Sequence, residues 1–291
     1  MFKGSIVALV TPFKGNDIDE SSLRKLVDWH ISEGTDGIVP VGTTGESPTL
    51  NHDEHERVIE IVIDQCNKRV PVIAGTGSNS TAEAINLLKH AENAGADAAL
   101  VVTPYYNKPT PEGLYAHYEA LDRASSGIPV IIYNIPSRSV IDINVDLMGR
   151  LSRLQSIVGV KDATSDISRI KKHNELCEDG FIQLSGEDET IYEYMINGGQ
   201  GCISVTANIL PKVCSDMHKA FSNNDLEEAK RLNNILMPLH KALFIETSPS
   251  PVKYILSIMN LIDYEVRLPL VKITQETKSM LDEIISNLEI K

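Results

Sequence analysis

The sequence predicts an α/β chain folded as a closed parallel (β/α)8 barrel, a TIM barrel, with a C-terminal helical appendage. Three observations predict it. Short apolar, β-branched runs alternate with helix-period segments eight times over. The runs are continuously apolar, as in strands covered on both faces. No Gly-x-Gly-x-x-Gly turn follows any of them, which disfavours a doubly wound open sheet.

The first unit pairs a strand over residues 5–10 with a helix over 20–32, whose Leu23, Leu26, Val27 and Ile31 share one face. Strand 37–41 leads to helix 52–65, striped by Val58, Ile59, Val62 and Ile63. Strand 70–74 leads to helix 81–93, which opens on Ser80 as N-cap and closes before Gly95. Strands 98–102 and 129–133 precede helices 112–125 and 145–154. Strand 157–162, Ile-Val-Gly-Val-Lys-Asp, precedes helix 167–176. Strands 181–184 and 201–205 precede helices 190–196 and 210–221. Helical patterns over 226–239, 251–261 and 274–288 fall outside the barrel count. No Gly-, Ser- or Pro-rich linker sets them apart. The expected division is therefore a catalytic barrel over residues 1–224, with helices packed on it over 225–291.

Composition narrows the class. The chain has 291 residues, of which 42% are hydrophobic, enough for a single barrel core. A net charge of −13 argues against a nucleic-acid partner, whose phosphates favour basic patches. Cys66, Cys177, Cys202 and Cys214 form no Cys-x-x-Cys pair, so reduced thiols in a cytoplasmic setting are expected. The apolar run 6–10 is too short for a secretory core and is broken by Pro12, so no signal peptide is expected. No apolar run approaches the ~20 residues needed to span a membrane.

In such a barrel the chemistry lies at the carboxyl ends of the strands. There the sequence places Thr11-Pro12, Gly42-Thr43-Thr44-Gly45-Glu46-Ser47, Thr103-Pro104-Tyr105-Tyr106-Asn107, Tyr133-Asn134-Ile135-Pro136-Ser137-Arg138, Lys161, Ser185-Gly186-Glu187 and Ser204-Val205-Thr206. Lys161 ends a buried strand. Burial disfavours the ammonium form of a lysine, and a neutral amine can form a Schiff base with a carbonyl substrate. Taken alone, Lys161 reads more readily as a charge reaching solvent or paired with Asp162. The Gly-Thr-Thr-Gly turn frees backbone N–H groups for a small carboxylate, or is simply a tight turn. Tyr133 can pass protons if its phenol bonds a hydroxyl such as that of Thr44. Arg138 can grip a carboxylate with its planar fork. None of the eight histidines closes a strand. His52 and His55 lack a third ligand and the His-Glu-x-x-His spacing, so no metal is expected.

These residues closely resemble the dihydrodipicolinate synthase family, within the superfamily that includes N-acetylneuraminate lyase. The resemblance runs almost end to end. It rests on the strand-end runs at 42–47, 103–107 and 133–138, on Gly159-Val160-Lys161-Asp162-Ala163-Thr164, and on Gly198-Gly199-Gln200-Gly201-Cys202-Ile203-Ser204-Val205-Thr206. It implies that Lys161 forms a Schiff base with pyruvate and that Tyr133, Thr44 and Tyr106 form a proton relay. Tyr106 would cross a subunit interface, making a dimer the minimal active unit and a homotetramer the expected assembly. Thr43 and Thr44 would bind the pyruvate carboxylate, and Arg138 the carboxylate of L-aspartate 4-semialdehyde. The carbonyls of Gly186 and Ile203 would lie near the lysine and the relay. No metal or organic cofactor would be needed, since the imine is the electron sink.

The same resemblance implies a second site. Ser47, His52, His55, Asn79, Glu83 and Tyr105 match positions that bind lysine as a feedback inhibitor in bacterial members. Three positions depart from the family pattern. Pro48 stands where a small residue or asparagine is usual, Val140 where a glycine is frequent, and Ser248 where an asparagine often precedes proline. A related pyruvate-dependent aldolase acting on a 2-keto sugar acid is the alternative. The Ser137-Arg138 pair and the adjacent Tyr105-Tyr106 disfavour it. A non-catalytic scaffold barrel is the other, and the complete lysine, relay and arginine set disfavours it.

Overall fold

Eight parallel strands hydrogen-bond to one another in chain order and close into a ring. The computed structural model describes residues 2–288. The strands are β1 (Gly4–Ala8), β2 (Gly37–Val39), β3 (Ile73–Gly75), β4 (Ala98–Val102), β5 (Val130–Asn134), β6 (Ile157–Asp162), β7 (Ile182–Ser185) and β8 (Gly201–Ser204). β1 pairs with both β2 and β8, which joins the first strand to the last. This is the (β/α)8 barrel that the alternation of patterns predicts.

The thinnest seam lies between β2 and β3, where a single parallel bridge joins Ile38 to Val72. Its cause is in the sequence. Pro71 stands opposite Gly37 and Pro40 opposite Ala74, one on each strand, and neither has an N–H to donate. Their carbonyls still accept, from Gly75 N–H at 3.1 Å and Ile38 N–H at 3.0 Å. The third strand therefore begins at Ile73 rather than at residue 70.

Between the strands run α1 (Glu20–Ser32), α2 (His52–Cys66), α3 (Thr81–Ala94), α4 (Pro111–Ala124), α5 (Val145–Leu151), α6 (Ser168–Leu176) and α7 (Ile191–Ile196), with α8 (Pro211–Ser222) after β8. The starts of α1 to α5 carry side-chain caps. Asn51 accepts from Glu54 N–H at 2.9 Å while Glu54 accepts from Asn51 N–H at 3.0 Å, a reciprocal capping box. Ser80 caps α3, and Gly95 closes it at φ 91°. Each such cap contributes about 1 kcal/mol.

Side chains alternate across each strand and form two apolar layers. Ile6, Ala8, Val39, Ile73, Leu100, Ile131, Tyr133, Leu184 and Ile203 fill the barrel interior. Val7, Ile38, Ala74, Val101, Ile132, Val160 and Cys202 face the helices. The C-terminal helices α9 (Leu226–Ala242), α10 (Ser250–Ile258) and α11 (Gln275–Asn287) follow. Leu232, Leu236, Leu239, Val252, Ile255 and Leu281 join the outer layer, so these helices share the barrel's core.

Four small elements among the described residues carry no apolar period: a hairpin of Phe13–Lys14 with Asp17–Ile18, and single helical turns at Ser47–Thr49, Pro136–Ser139 and Thr206–Asn208. No helix among the described residues is long and apolar enough to cross a membrane. The four cysteines are free, and burial pushes the Cys66 thiol up to about 12.

Candidate active site

Strand parity sets the direction of the lysine. β5 and β6 pair with Tyr133 opposite Lys161, so both side chains point into the barrel. Both are buried, Lys161 at 6% exposure and Tyr133 at 7%. The Lys161 Nζ lies 4.1 Å from the centre of the Tyr133 ring. Gly186, just past β7, closes the other side. A Cβ on it would stand 2.8 Å from the Ala163 Cβ and 3.1 Å from the Lys161 Cε. The absence of a side chain at 186 is what lets the lysine stem pass. Ile203 is buried in the same interior layer.

Asp162 has the opposite parity and turns towards the helices. Its carboxylate accepts from the Thr164 N–H at 2.8 Å and hydroxyl at 2.6 Å. Burial raises its pKa above the usual aspartate value. Among the described residues it forms no ion pair with Lys161. That settles the sequence-level alternative of a Lys161–Asp162 salt bridge.

The turn after β2 is held in an uncommon shape. Val41 (φ 48°) and Glu46 (φ 56°) both take left-handed backbone. The Thr11 hydroxyl donates to the Gly45 carbonyl at 2.6 Å. Glu46 N–H bonds Thr43 O at 3.1 Å, and Ser47 N–H bonds Gly42 O at 3.3 Å. Those bonds leave the Thr43 and Thr44 N–H groups without a protein acceptor among the described residues. Such a concavity of free N–H groups suits a carboxylate. Thr44 is buried, yet no direct hydrogen bond joins it to Tyr133 among the described residues.

A cavity of about 430 Å³ opens here. Thr43, Tyr133 and Arg138 line it, and so do Ser47, His52, His55, Glu83 and Tyr105. Five of the six residues of the second set thus share one space with three of the first, while Lys161, Thr44, Gly186 and Ile203 are not among its lining. Asn79 stands outside it and instead holds the Tyr105-Tyr106 loop. Its amide donates to Tyr105 O at 3.1 Å, and Asn107 donates back to Asn79 O at 2.8 Å. Tyr106 also stands outside, 91% exposed, at φ 71°. The chain on its own does not bring Tyr106 to Tyr133.

Electrostatics differ across the cavity. Glu83 accepts from the Ser78 hydroxyl and lies 2.8 Å from His52 Nε2. The Ser78 bond first, and His52 second, hold the Glu83 carboxyl below the usual glutamate range. Burial drives His55 down to about 4, with His90 and His52 adding to the shift, so it is neutral at pH 7.

Arg138 sits on the Pro136–Ser139 turn, which ends at Val140 with φ 63°. Left-handed backbone at that position favours glycine over a β-branched residue. Arg138 also lines a second, shallower hollow of about 520 Å³ with Phe244, Ile245, Glu246, Thr247 and Ser248.

Two acids, Glu187 and Asp188, follow Gly186 and match no motif in the sequence. Burial first, and then the neighbouring Asp188 charge, push Glu187 up to about 7, against the opposing pull of Lys161. Asp188 accepts from the N–H groups of Val205 at 2.9 Å and Thr206 at 3.1 Å, and from the Ser204 hydroxyl. It fixes the end of β8. Its signal was an acid at a strand end, recognisable only with the β8 loop in place.

Comparison with known proteins agrees with this geometry. The model of the dihydrodipicolinate synthetase family matches residues 1–288. A 4-hydroxy-tetrahydrodipicolinate synthase of Pelagibacter ubique is 57% identical over 288 residues, covering 98% of each chain. The crystal structure of the chloride-inhibited dihydrodipicolinate synthase of Acinetobacter baumannii complexed with pyruvate is 48% identical, with a TM-score of 0.97 and all of each chain covered. The crystal structure of the Cyanidioschyzon merolae enzyme with lysine bound is 32% identical, with a TM-score of 0.96 over 100% of this chain and 99% of that one. The chain is an enzyme of the lyase class, and it belongs to the dihydrodipicolinate synthetase family.

Proposed function

We propose that the chain is a 4-hydroxy-tetrahydrodipicolinate synthase of diaminopimelate and lysine synthesis. It condenses pyruvate with L-aspartate 4-semialdehyde. The observation that carries this reading is the buried, lumen-facing Lys161 beside Tyr133 at the carboxyl end of the barrel.

The Lys161 amine attacks the pyruvate carbonyl, and water leaves as the imine forms. The imine withdraws electrons, so a methyl proton departs and an enamine results. The enamine carbon attacks the aldehyde, whose oxygen takes up a proton. The semialdehyde's own amine then displaces Lys161 by transimination, which closes the ring and frees the lysine. Tyr133, Thr44 and Tyr106 carry the protons. Thr43 and Thr44 hold the pyruvate carboxylate, which the unpaired N–H groups of their turn support. Arg138 holds the semialdehyde carboxylate through paired N–H donors.

Tyr106 reaches a partner's site rather than its own, which agrees with its exposure and its strained backbone. The active unit is therefore at least a dimer, in a homotetramer. Lysine acts as a feedback inhibitor through Ser47, His52, His55, Asn79, Glu83 and Tyr105. The ionised Glu83 suits its ammonium groups. Pro48 lies in the short helical turn Ser47–Thr49 beside this cavity, a position that needs no N–H.

The reading is tested by offering purified protein pyruvate with each aldehyde in turn. Turnover of aspartate semialdehyde is expected. Turnover of a sugar aldehyde alone would replace it with the sugar-acid aldolase.

A further inference from the structure

Behind the Gly42–Glu46 turn lies a buried ion pair that none of the chemistry above uses. Glu46 and Lys253 are 1% and 0% exposed, and the Lys253 ammonium donates to Glu46 Oε1. The two residues are 207 positions apart, Glu46 ending the turn and Lys253 lying in α10. Lys253 also donates to the Glu265 carbonyl at 2.9 Å and sits 4.1 Å above the Phe13 ring. The second Glu46 oxygen accepts from the Arg267 N–H at 3.0 Å. The Arg267 guanidinium in turn donates to the Thr49 carbonyl at 3.2 Å and forks onto Glu54 at 2.7 Å through each nitrogen. The C-terminal segment thus grips the turn at Glu46 and at Thr49.

A buried ion pair is a poor device for stability alone, since apolar groups of the same volume usually serve as well or better. What it supplies is geometry. Both oxygens of Glu46 are fixed by donors from one distant segment, and Glu46 itself takes left-handed backbone. Thr44 lies two residues earlier. We propose that Lys253 is a positioning residue: paired with Glu46, it holds the Thr43-Thr44 turn in the shape that binds the carboxylate of the 2-keto acid substrate. The C-terminal helices would thereby set substrate affinity from outside the barrel. This rests on the reading of the turn as the pyruvate carboxylate site.

The test compares the parent protein with Lys253→Met and with Glu46→Gln/Lys253→Met, which removes both charges. Borohydride trapping of pyruvate on Lys161 is followed by mass against pyruvate concentration. The half-saturating concentration should rise about 10- to 100-fold in the variants, the effect of losing a charge-assisted contact. Trapping should still reach completion at saturating pyruvate. The half-saturating concentration of aspartate semialdehyde should stay within about two-fold of the parent, a change too small for a lost contact. A merely structural role would shift both substrates together. A variant that melts cooperatively and keeps the parent's pyruvate dependence overturns the proposal. Failure of both variants to fold also overturns it, because the pair would then hold the whole barrel. If the parent itself takes no adduct, the carboxylate-site reading fails and the proposal goes with it. If the parent is trapped and the variants match it, only the role of Lys253 is lost.

Discussion

Lys161 and Tyr133 stand opposite each other on neighbouring strands, with the lysine nitrogen 4.1 Å from the centre of the tyrosine ring. The pairing register and the two-residue side-chain period put both in the barrel interior. A mutation that keeps the ring and removes the phenol separates contact from proton transfer. Tyr133→Phe should lower kcat by about 10²- to 10⁴-fold, the usual contribution of a positioned acid or base. Steady-state rates with saturating substrates measure it. A kcat within a few-fold of the parent would take Tyr133 out of the relay.

Val140 predicts a gain. It is a β-branched residue at φ 63°, 68% exposed, with little packing to lose. Left-handed backbone costs such a residue about 1–2 kcal/mol, while glycine gives back about 0.5–1 kcal/mol in chain entropy. Val140→Gly should therefore stabilise the protein by about 0.5–1 kcal/mol, read by chemical denaturation. A loss of stability would mean that the Val140 side chain is held by contacts in the assembly.

The barrel was legible because its signal is local. Eight apolar runs and eight helical stripes need only neighbours in sequence, and the parity that aims Lys161 inward follows from the strand alone. The direction of Asp162 follows from the same parity. Other features depend on partners far away in the chain. Nothing near Lys253 announces Glu46, 207 residues distant. The role of Asp188 depends on the β8 loop that it caps. The Phe13–Ile18 hairpin is too short to show a period, and the thin β2–β3 seam needs the pairing of Ile38 with Val72, which brings the strands of Pro40 and Pro71 together. The exposure of Tyr106 is a property of the loop that Asn79 holds.

Glu187 predicts a pH dependence of stability. Its carboxyl is pushed from 4.5 up to about 7 in the folded chain, first by burial. Between those values the folded state holds a proton that the unfolded state has lost. Stability due to this group is full below 4.5 and is lost as pH rises through 7. Glu187→Gln cannot titrate. The thermal midpoint of the variant minus that of the parent should therefore grow between pH 5 and pH 7 and level off above. A flat difference across that range would contradict the buried carboxyl.

Glu83 tests the inhibitor site. Its carboxyl is held ionised by the Ser78 hydroxyl and His52. Glu83→Gln removes the charge that would face a lysine ammonium. The lysine concentration for half-inhibition should rise about 10-fold or more. An unchanged value would place lysine elsewhere.

The central claim is a covalent one, that Lys161 forms an imine with pyruvate. Protein treated with borohydride in the presence of pyruvate, then digested and weighed, tests it most directly. The account predicts one added mass, that of a reduced pyruvate adduct, on the peptide containing Lys161, and none in Lys161→Ala. No adduct, or an adduct on another lysine, would contradict it.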